Sequence, residues 1–180
     1  FLPQLLATDH VLIGRDARKS SPAVFAAMCK GVTDQGCDVW DIGLCTTPTV
    51  YFAGPLLKAK ASAMITASHN PAEYNGIKLS REESKPVAKE TGLLELEKLC
   101  RGDVTPVAKK GKVIQKDIRS DYLKFVARWM KPLKGLNIVF DSSNGMEGLY
   151  LEDIFKNSGA KCAFINLEVD GSFPNHAPNP

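Results

Sequence analysis

The sequence predicts an α/β fold: a mixed, mainly parallel sheet with helices on both faces, plus the start of a second, similar α/β unit. One observation behind this is that short apolar, strand-like runs alternate with amphipathic helical patterns. Another is an internal repeat, seen on comparing VLIGRDARKSSPAVFAAMCKGVTDQGCDVWDIG with NIVFDSSNGMEGLYLEDIFKNSGAKCAFINLE. Each copy has a strand, a polar loop with Asp and Ser, a helix, a glycine and a second strand. We therefore predict one unit over residues 1–132 and the beginning of another over residues 133–180.

The first strand–helix–strand segment has clear local signals. The apolar run 10–14 predicts a strand that ends at a glycine. Ser21 is predicted to cap the following helix, with Pro22 at its first position. Gly36 supplies the C-terminal stop, and residues 37–42 read as the next strand.

Two further helices are predicted before the second unit. Thr91 is expected to cap a short helix whose apolar positions are Leu93, Leu96, Leu99 and Cys100. The clearest amphipathic pattern comprises Ile118, Tyr122, Phe125, Val126 and Trp129. Pro132 predicts that this helix ends near Lys131.

Composition narrows the class of protein. The 180 residues are 44% hydrophobic and 24% charged, which is typical of a soluble globular protein. A net charge of +3 from scattered basic residues argues against nucleic acid or a membrane surface as a partner. No apolar run approaches the roughly 20 residues of a membrane span, and FLPQLLATDH lacks the features of a signal peptide. None of the five cysteines forms a CxxC pair and their number is odd, so we expect small, buried, free thiols in a reducing cytoplasm over a zinc or disulfide framework.

The segment ASAMITASHNPAEYNGIKLS, residues 61–80, carries the strongest candidate site. Ser68 follows a short strand among small residues, at the strand end where open α/β sheets place ligands. It is either a phosphoryl carrier, helped by a free N–H at Ala67 or Ser68, or part of an ordinary polar turn. The Asn75-Gly76 turn is expected to fold Lys78 back towards the loop. Lys78 is then either a phosphate-neutralising cation or a solvated lysine on an edge strand.

The other polar clusters are weaker candidates for a functional site. Arg15 and Arg18, between a strand and a helix, would either bind an anion or pair with Asp16 structurally. The Asp141 and Asp170 segments read as turn chemistry. The remaining histidines, His10 and His176, lack metal-ligand spacing.

The segment Thr66–Pro71, with Asn75–Lys78, resembles the phosphoserine loop of the α-D-phosphohexomutase family. Supporting motifs are GRDARKSSP from Gly14, DIG from Asp41, TPT from Thr47, Asn144-Gly145 with Gly148, and EVDGSFPNH from Glu168. The resemblance covers nearly the whole chain and is closest to the bacterial phosphomannomutase/phosphoglucomutase branch.

This resemblance implies an intramolecular phosphotransferase acting on small-molecule hexose phosphates. Ser68 would carry a phosphoryl group between the 1- and 6-positions of mannose or glucose through a hexose 1,6-bisphosphate. His69 and Lys78 would orient groups and manage protons and charge, with Arg15 and Asn70 as substrate- or phosphate-binding residues. The implied cofactor is Mg²⁺, to which Ser68 would contribute one ligand through its phosphate.

The sequence also departs from the family pattern. The resemblance implies an aspartate-rich metal loop beyond Pro180, so we expect this chain to be a fragment without mutase turnover of its own. A phosphoglucosamine mutase fragment and a non-catalytic sugar-phosphate-binding module remain as alternatives. The sequence does not indicate an oligomeric state.

Overall fold

The structure is a computed structural model that describes residues 2–103 and 105–178. Its larger sheet has the order β4-β3-β1-β2-β5. All neighbouring pairs are parallel except β3 and β4, which are antiparallel. The five strands are β1 (His10–Arg15), β2 (Asp38–Leu44), β3 (Ala61–Ile65), β4 (Ile77–Arg81) and β5 (Val113–Gln115).

Helices cover both faces of this sheet. They are α1 (Leu2–Leu5), α2 (Ser21–Asp34), α3 (Thr47–Leu56), α4 (Leu93–Cys100) and α5 (Arg119–Ala127). Successive side chains of a strand point to opposite faces. Val11 and Ile13 of β1 therefore join the core beneath α2, whereas Leu12 joins Met64 in the core beneath α3 and α5. The predicted fold class is confirmed.

The second unit contains a separate parallel pair of strands. These are β6 (Asn137–Asp141) and β7 (Lys161–Ile165), connected through α6 (Leu151–Phe155). Phe140 packs on Phe155 of α6 and Phe164 of β7, with ring centroids 4.4 and 5.5 Å apart. This is the repeat expected from the sequence. The division at 132/133 stays a prediction, and residues 179–180 of the second unit lie outside the described residues.

Several local predictions were wrong. Ser21 is the first residue of α2 and not its cap, because its hydroxyl donates to Asp16 Oδ1 at 2.6 Å. Thr91 does not cap α4; its hydroxyl oxygen accepts from the Ala88 N–H in a preceding 3₁₀ turn. Helix α5 ends at Ala127, which leaves Trp129 73% exposed.

The hairpin between β3 and β4 confirms one expectation and corrects another. Lys78 does fold back, pairing with Met64 in the antiparallel register. However, the connection is the long loop 66–76 and not a two-residue turn at Asn75-Gly76, because the Thr66 N–H already bonds the Gly76 carbonyl at 2.9 Å. Strand β5 and helix α3 were not predicted. Among the described residues, no helix is long and apolar enough to cross a membrane.

The central strands should dominate stability. Leu12 is fully buried, so Leu12→Ala removes a core side chain and should lower the free energy of unfolding by about 2–5 kcal/mol. Leu56 is 44% exposed, and Leu56→Ala should change it by no more than about 0.5–1 kcal/mol. Urea denaturation of both variants measures the difference. Equal losses would contradict this assignment of the core.

Candidate active site

A cleft of about 430 Å³ opens where the strands of both units end. Parallel strands deliver their carboxyl ends to one edge, where open α/β sheets bind ligands. The loops after β1, β2 and β3 form one wall, and the loop after β6 forms the other. Cleft residues relevant to chemistry are Asp16, Thr46, Thr47, Tyr51, Thr66, Ser68, His69, Lys78, Ser143, Asn144, Glu147 and Phe173.

Ser68 is exposed on the loop after β3 and has φ +59°, in the left-handed region. That region disfavours non-glycine residues by roughly 1–2 kcal/mol, so the surrounding structure must hold Ser68 there. The Ser68 N–H donates to Thr66 Oγ1 at 2.9 Å. The expectation of a free N–H at Ser68 is therefore wrong. Ser68 nevertheless lies at the cleft, in the loop that follows β3.

His69 and Lys78 lie with Ser68 along the same cleft. Both are exposed, His69 on the loop and Lys78 on β4. The antiparallel pairing of β3 with β4 is what brings Lys78 alongside. One wall thus combines a hydroxyl, an imidazole and an ammonium group.

Arg15 and Asn70 are not among the residues that line the cleft. The Arg15 guanidinium donates to Asp41 at 2.8 Å and stacks over Phe25 at 4.1 Å. The Asn70 amide donates to the Ala67 carbonyl at 2.9 Å, inside the loop. These contacts favour structural roles over the predicted phosphate-binding ones.

Arg18 is buried beneath the Ser68 loop, with 1% of its surface exposed. Its Nε donates to Asp16 at 3.1 Å, which is the structural pairing left open by the sequence. Its remaining N–H groups donate to loop carbonyls, namely those of Ser68, Asn70, Pro71 and Tyr74. With its donors used in this way, Arg18 is not the anion ligand that was the alternative.

The opposite wall is built around Asn144, which is 5% exposed and has φ +56°. Its amide donates to the Glu168 carbonyl at 2.8 Å and its Oδ1 accepts from Asn175 at 2.9 Å. The Asp170 N–H donates to the Asn144 carbonyl at 2.9 Å. Asn144 therefore ties the loop after β6 to the segment 168–175.

Segment 168–175 also packs against the first unit. A Cβ at Gly171 would lie 2.0 Å from the Ala17 carbonyl oxygen, so only glycine permits this approach. Phe173 stacks against the Arg18 guanidinium, 5.3 Å from the ring centroid. Elsewhere, Thr49 donates to the Tyr150 hydroxyl at 3.4 Å. The two walls are thus joined by direct contacts.

His176 and Asp141 form an ion pair at the edge of the second wall, with Nε2 and Oδ2 2.9 Å apart. The Ala177 carbonyl and Asp141 raise the pKa of His176 above 6.5. The Ser143 N–H, the Asn166 amide and His176 lower the pKa of Asp141 below 3.8. The predicted turn chemistry at Asp141 is present, since Ser143 donates to its carboxylate at 2.9 Å.

The His176–Asp141 pair is expected to stabilise the fold only within a limited range of pH. The raised pKa of His176 means that its contribution to stability is complete below pH 6.5 and is lost as pH rises through the folded pKa. The lowered pKa of Asp141 means that its contribution is present above pH 3.8 and is lost as pH falls through its folded pKa. NMR titration should give a His176 midpoint above 6.5 that Asp141→Asn moves partway back. Asp153→Asn, an equal charge change outside this pair, should leave the midpoint in place, and an equal effect of both variants would contradict the assignment.

The five cysteines are free. Burial raises the pKa of the Cys29 thiol to about 11 and that of Cys45 to about 12, so both stay protonated at neutral pH. Cys100 is exposed, which the expectation of uniformly buried thiols did not anticipate.

The residues present do not form a site for Mg²⁺ on their own. Across residues 2–103 and 105–178, no group of three His, Cys, Asp or Glu side chains is arranged to hold a metal ion. Asp16, the carboxylate on the Ser68 wall, is already bonded to Arg18 and Ser21.

Some cleft residues were missed by sequence reasoning. Thr46, Thr47 and Tyr51 were not identified as cleft residues, although they follow the end of β2. The signal was available, because residues after any parallel strand reach the same edge. Phe173 follows the parallel strand β7 in the same way, but its position against Arg18 also depends on the contact of segment 168–175 with the first unit.

Together, these observations define an α/β protein with a two-walled ligand cleft at the carboxyl edge of its sheet, where a serine stands beside an imidazole and a lysine. The family model of phosphoglucomutase/phosphomannomutase, alpha/beta/alpha domain I, matches residues 2–101. The chain therefore belongs to the phosphoglucomutase/phosphomannomutase family.

Curated relatives agree with this assignment. The chain is 38% identical to a phosphomannomutase of Salmonella typhimurium. The match covers 98% of this chain and 41% of the relative. It is 36% identical to a phosphomannomutase/phosphoglucomutase of Pseudomonas putida, over 95% of this chain and 36% of the relative. A family protein of Burkholderia thailandensis superposes with a TM-score of 0.77 at 30% identity, covering 94% of this chain and 38% of that one. The chain thus spans about two fifths of the length of these relatives.

Proposed function

We propose that this chain is the phosphoryl-carrying part of a hexose phosphate mutase and that Ser68 is the carrier. The observation that carries this proposal is the placement of Ser68, His69 and Lys78 along one wall of the cleft. Membership of the phosphoglucomutase/phosphomannomutase family supports it. The proposed ligands of the cleft are hexose monophosphates and hexose 1,6-bisphosphates. The proposed location of the protein is the cytoplasm.

The proposed reaction balances as a transfer between two oxygens. The reactants are phosphorylated Ser68 and a hexose monophosphate. The bond from phosphorus to Ser68 Oγ breaks as a bond from phosphorus to a free hydroxyl oxygen of the hexose forms. The hydroxyl proton passes to Ser68 Oγ, which leaves a free serine and a hexose 1,6-bisphosphate. Transfer of the other phosphoryl group back to Ser68 reverses these changes and completes movement between the 1- and 6-positions.

The side chains of the cleft suit these steps. Phosphoryl transfer depends mainly on in-line positioning and on neutralising charge. Lys78 supplies a compact positive charge beside the phosphoryl group. His69 is the proposed relay for the hydroxyl proton, since imidazole accepts and donates protons near neutral pH.

The test is to incubate the chain with glucose 1,6-bisphosphate, mannose 1,6-bisphosphate or glucosamine 1,6-bisphosphate and measure intact mass and released monophosphate. We expect the chain to gain one phosphoryl group while one hexose monophosphate is released, with glucose or mannose preferred. Preference for glucosamine would favour the related phosphoglucosamine activity. Absence of transfer from all three donors, with the chain folded by circular dichroism, would contradict the carrier role.

A further inference from the structure

We propose that Arg18 is a positioning residue that fixes Ser68 for phosphoryl transfer without touching the substrate. The proposal rests on the proposed function for its catalytic meaning. Its structural content, that one buried guanidinium sets the conformation of the loop 66–76, stands on contacts within the chain.

Four hydrogen bonds join the Arg18 guanidinium to carbonyls of the loop 66–76. Arg18 Nη2 donates to the carbonyls of Ser68 at 2.9 Å and Asn70 at 2.8 Å. Arg18 Nη1 donates to the carbonyls of Pro71 at 2.6 Å and Tyr74 at 3.1 Å. A planar guanidinium offers five donors in a fixed fork, so it fixes these four carbonyls relative to one another.

The backbone of Ser68 needs this support. Its φ of +59° is a conformation that a serine holds only when its surroundings require it. The Ser68 carbonyl is one of the four bonded to Arg18, and the Ser68 N–H is held by Thr66 Oγ1. Both sides of the strained residue are therefore fixed, and with them the direction of its Cα–Cβ bond at the cleft.

The positive charge of Arg18 is buried together with its partners. Arg18 is 1% exposed, and Asp16, which is 7% exposed, supplies the opposite charge. Asp16 also accepts from the Arg18 N–H at 3.1 Å, which fixes the start of the side chain. A buried charge with this set of hydrogen bonds is costly to disturb, because any lost partner leaves an unsatisfied group.

The second unit reaches the same guanidinium. Phe173 stacks on it at 5.3 Å, and Gly171 packs against the Ala17–Arg18 backbone. The contact of segment 168–175 with the first unit therefore closes over Arg18. The positioning of Ser68 is coupled through Arg18 to the wall that faces it.

Arg18→Lys is the direct test. Lysine keeps the charge but has three donors on one nitrogen, so it cannot bond all four carbonyls and Asp16 together. At saturating glucose 1,6-bisphosphate, we expect the rate of Ser68 phosphorylation to fall about 100-fold, since small misplacement of reacting groups has this effect. The donor concentration at half-maximal rate should not change, because Arg18 does not line the cleft. Hydrogen exchange should accelerate in residues 66–76 and not in β1.

The matched control is Arg101→Lys, an exposed arginine that pairs with Glu97 in solvent. It should leave both the rate and the exchange unchanged. Should Arg18→Lys fail to fold, Phe173→Leu serves instead, since removing the ring that covers the guanidinium should loosen the same loop. A wild-type rate with unchanged exchange in the folded variant would overturn the proposal. Failure of the wild-type chain to accept phosphate would count against the proposed function, while the exchange measurement would still decide the role of Arg18.

Discussion

Ser68→Ala is expected to abolish phosphoryl uptake from a hexose 1,6-bisphosphate, with a loss of at least about 1,000-fold, as for removal of other covalent nucleophiles. Alanine has no oxygen to carry the phosphoryl group, and it holds a left-handed φ at a cost similar to that of serine. The fold should therefore remain while the chemistry is lost. The measurement is the initial rate of mass gain at saturating donor, with circular dichroism to verify folding.

Ser143 provides the matched control for this substitution. It also lines the cleft and also has a positive φ, +49°, but it stands on the opposite wall. Ser143→Ala should retain phosphoryl uptake. Loss of uptake in Ser143→Ala, with uptake kept in Ser68→Ala, would place the carrier on the wall that holds Ser143 and would contradict the proposed role of Ser68.

Gly171→Ala is expected to separate segment 168–175 from the first unit. Its Cβ would lie 2.0 Å from the Ala17 carbonyl oxygen and 2.5 Å from Arg18 Cα, distances at which backbone must move. We expect a loss of about 1–3 kcal/mol in the free energy of unfolding, as for other overpacked sites. Hydrogen exchange should rise in residues 168–175, and phosphoryl uptake by Ser68 should fall because Phe173 leaves Arg18.

Gly31 is the control for the loss of a glycine. It lies within α2, and a Cβ there would have no neighbour within 4 Å. Gly31→Ala should stabilise the helix by about 0.5–1 kcal/mol, because alanine favours helices. Unchanged stability and unchanged exchange in Gly171→Ala would contradict the close contact between the units.

Much of the fold could be predicted because local signals and burial agreed. The apolar run of β1 is buried on both faces, and Gly36, at φ +76°, follows the end of α2 as expected. The repeat predicted a second strand–helix–strand unit, and β6, α6 and β7 form it. These elements are specified by short-range patterns that the sequence displays directly.

The errors arose where contacts formed in the folded chain override a local pattern. Trp129 continued the helical pattern of α5, yet the helix ended at Ala127 and the ring stayed exposed. Ser21 has a capping side chain, yet Asp16 captures its hydroxyl.

The candidate site shows the same division between local and distant information. Ser68, His69 and Lys78 could be proposed together because a strand, a loop and a returning strand place them on one edge. The role of Arg18 could not be predicted, because its partners are backbone carbonyls about 50 residues away. Every residue carries such a carbonyl, so the sequence does not mark them. The opposite wall depended on Gly171 meeting Ala17, a contact that local patterns do not encode.

The most direct test of the central claim is to locate the phosphate by fragmenting phosphopeptides of the chain after exposure to glucose 1,6-bisphosphate. We expect one phosphoryl group on Ser68, within the peptide that spans the loop 66–76. Phosphate on another residue, with Ser68 unmodified, would contradict it.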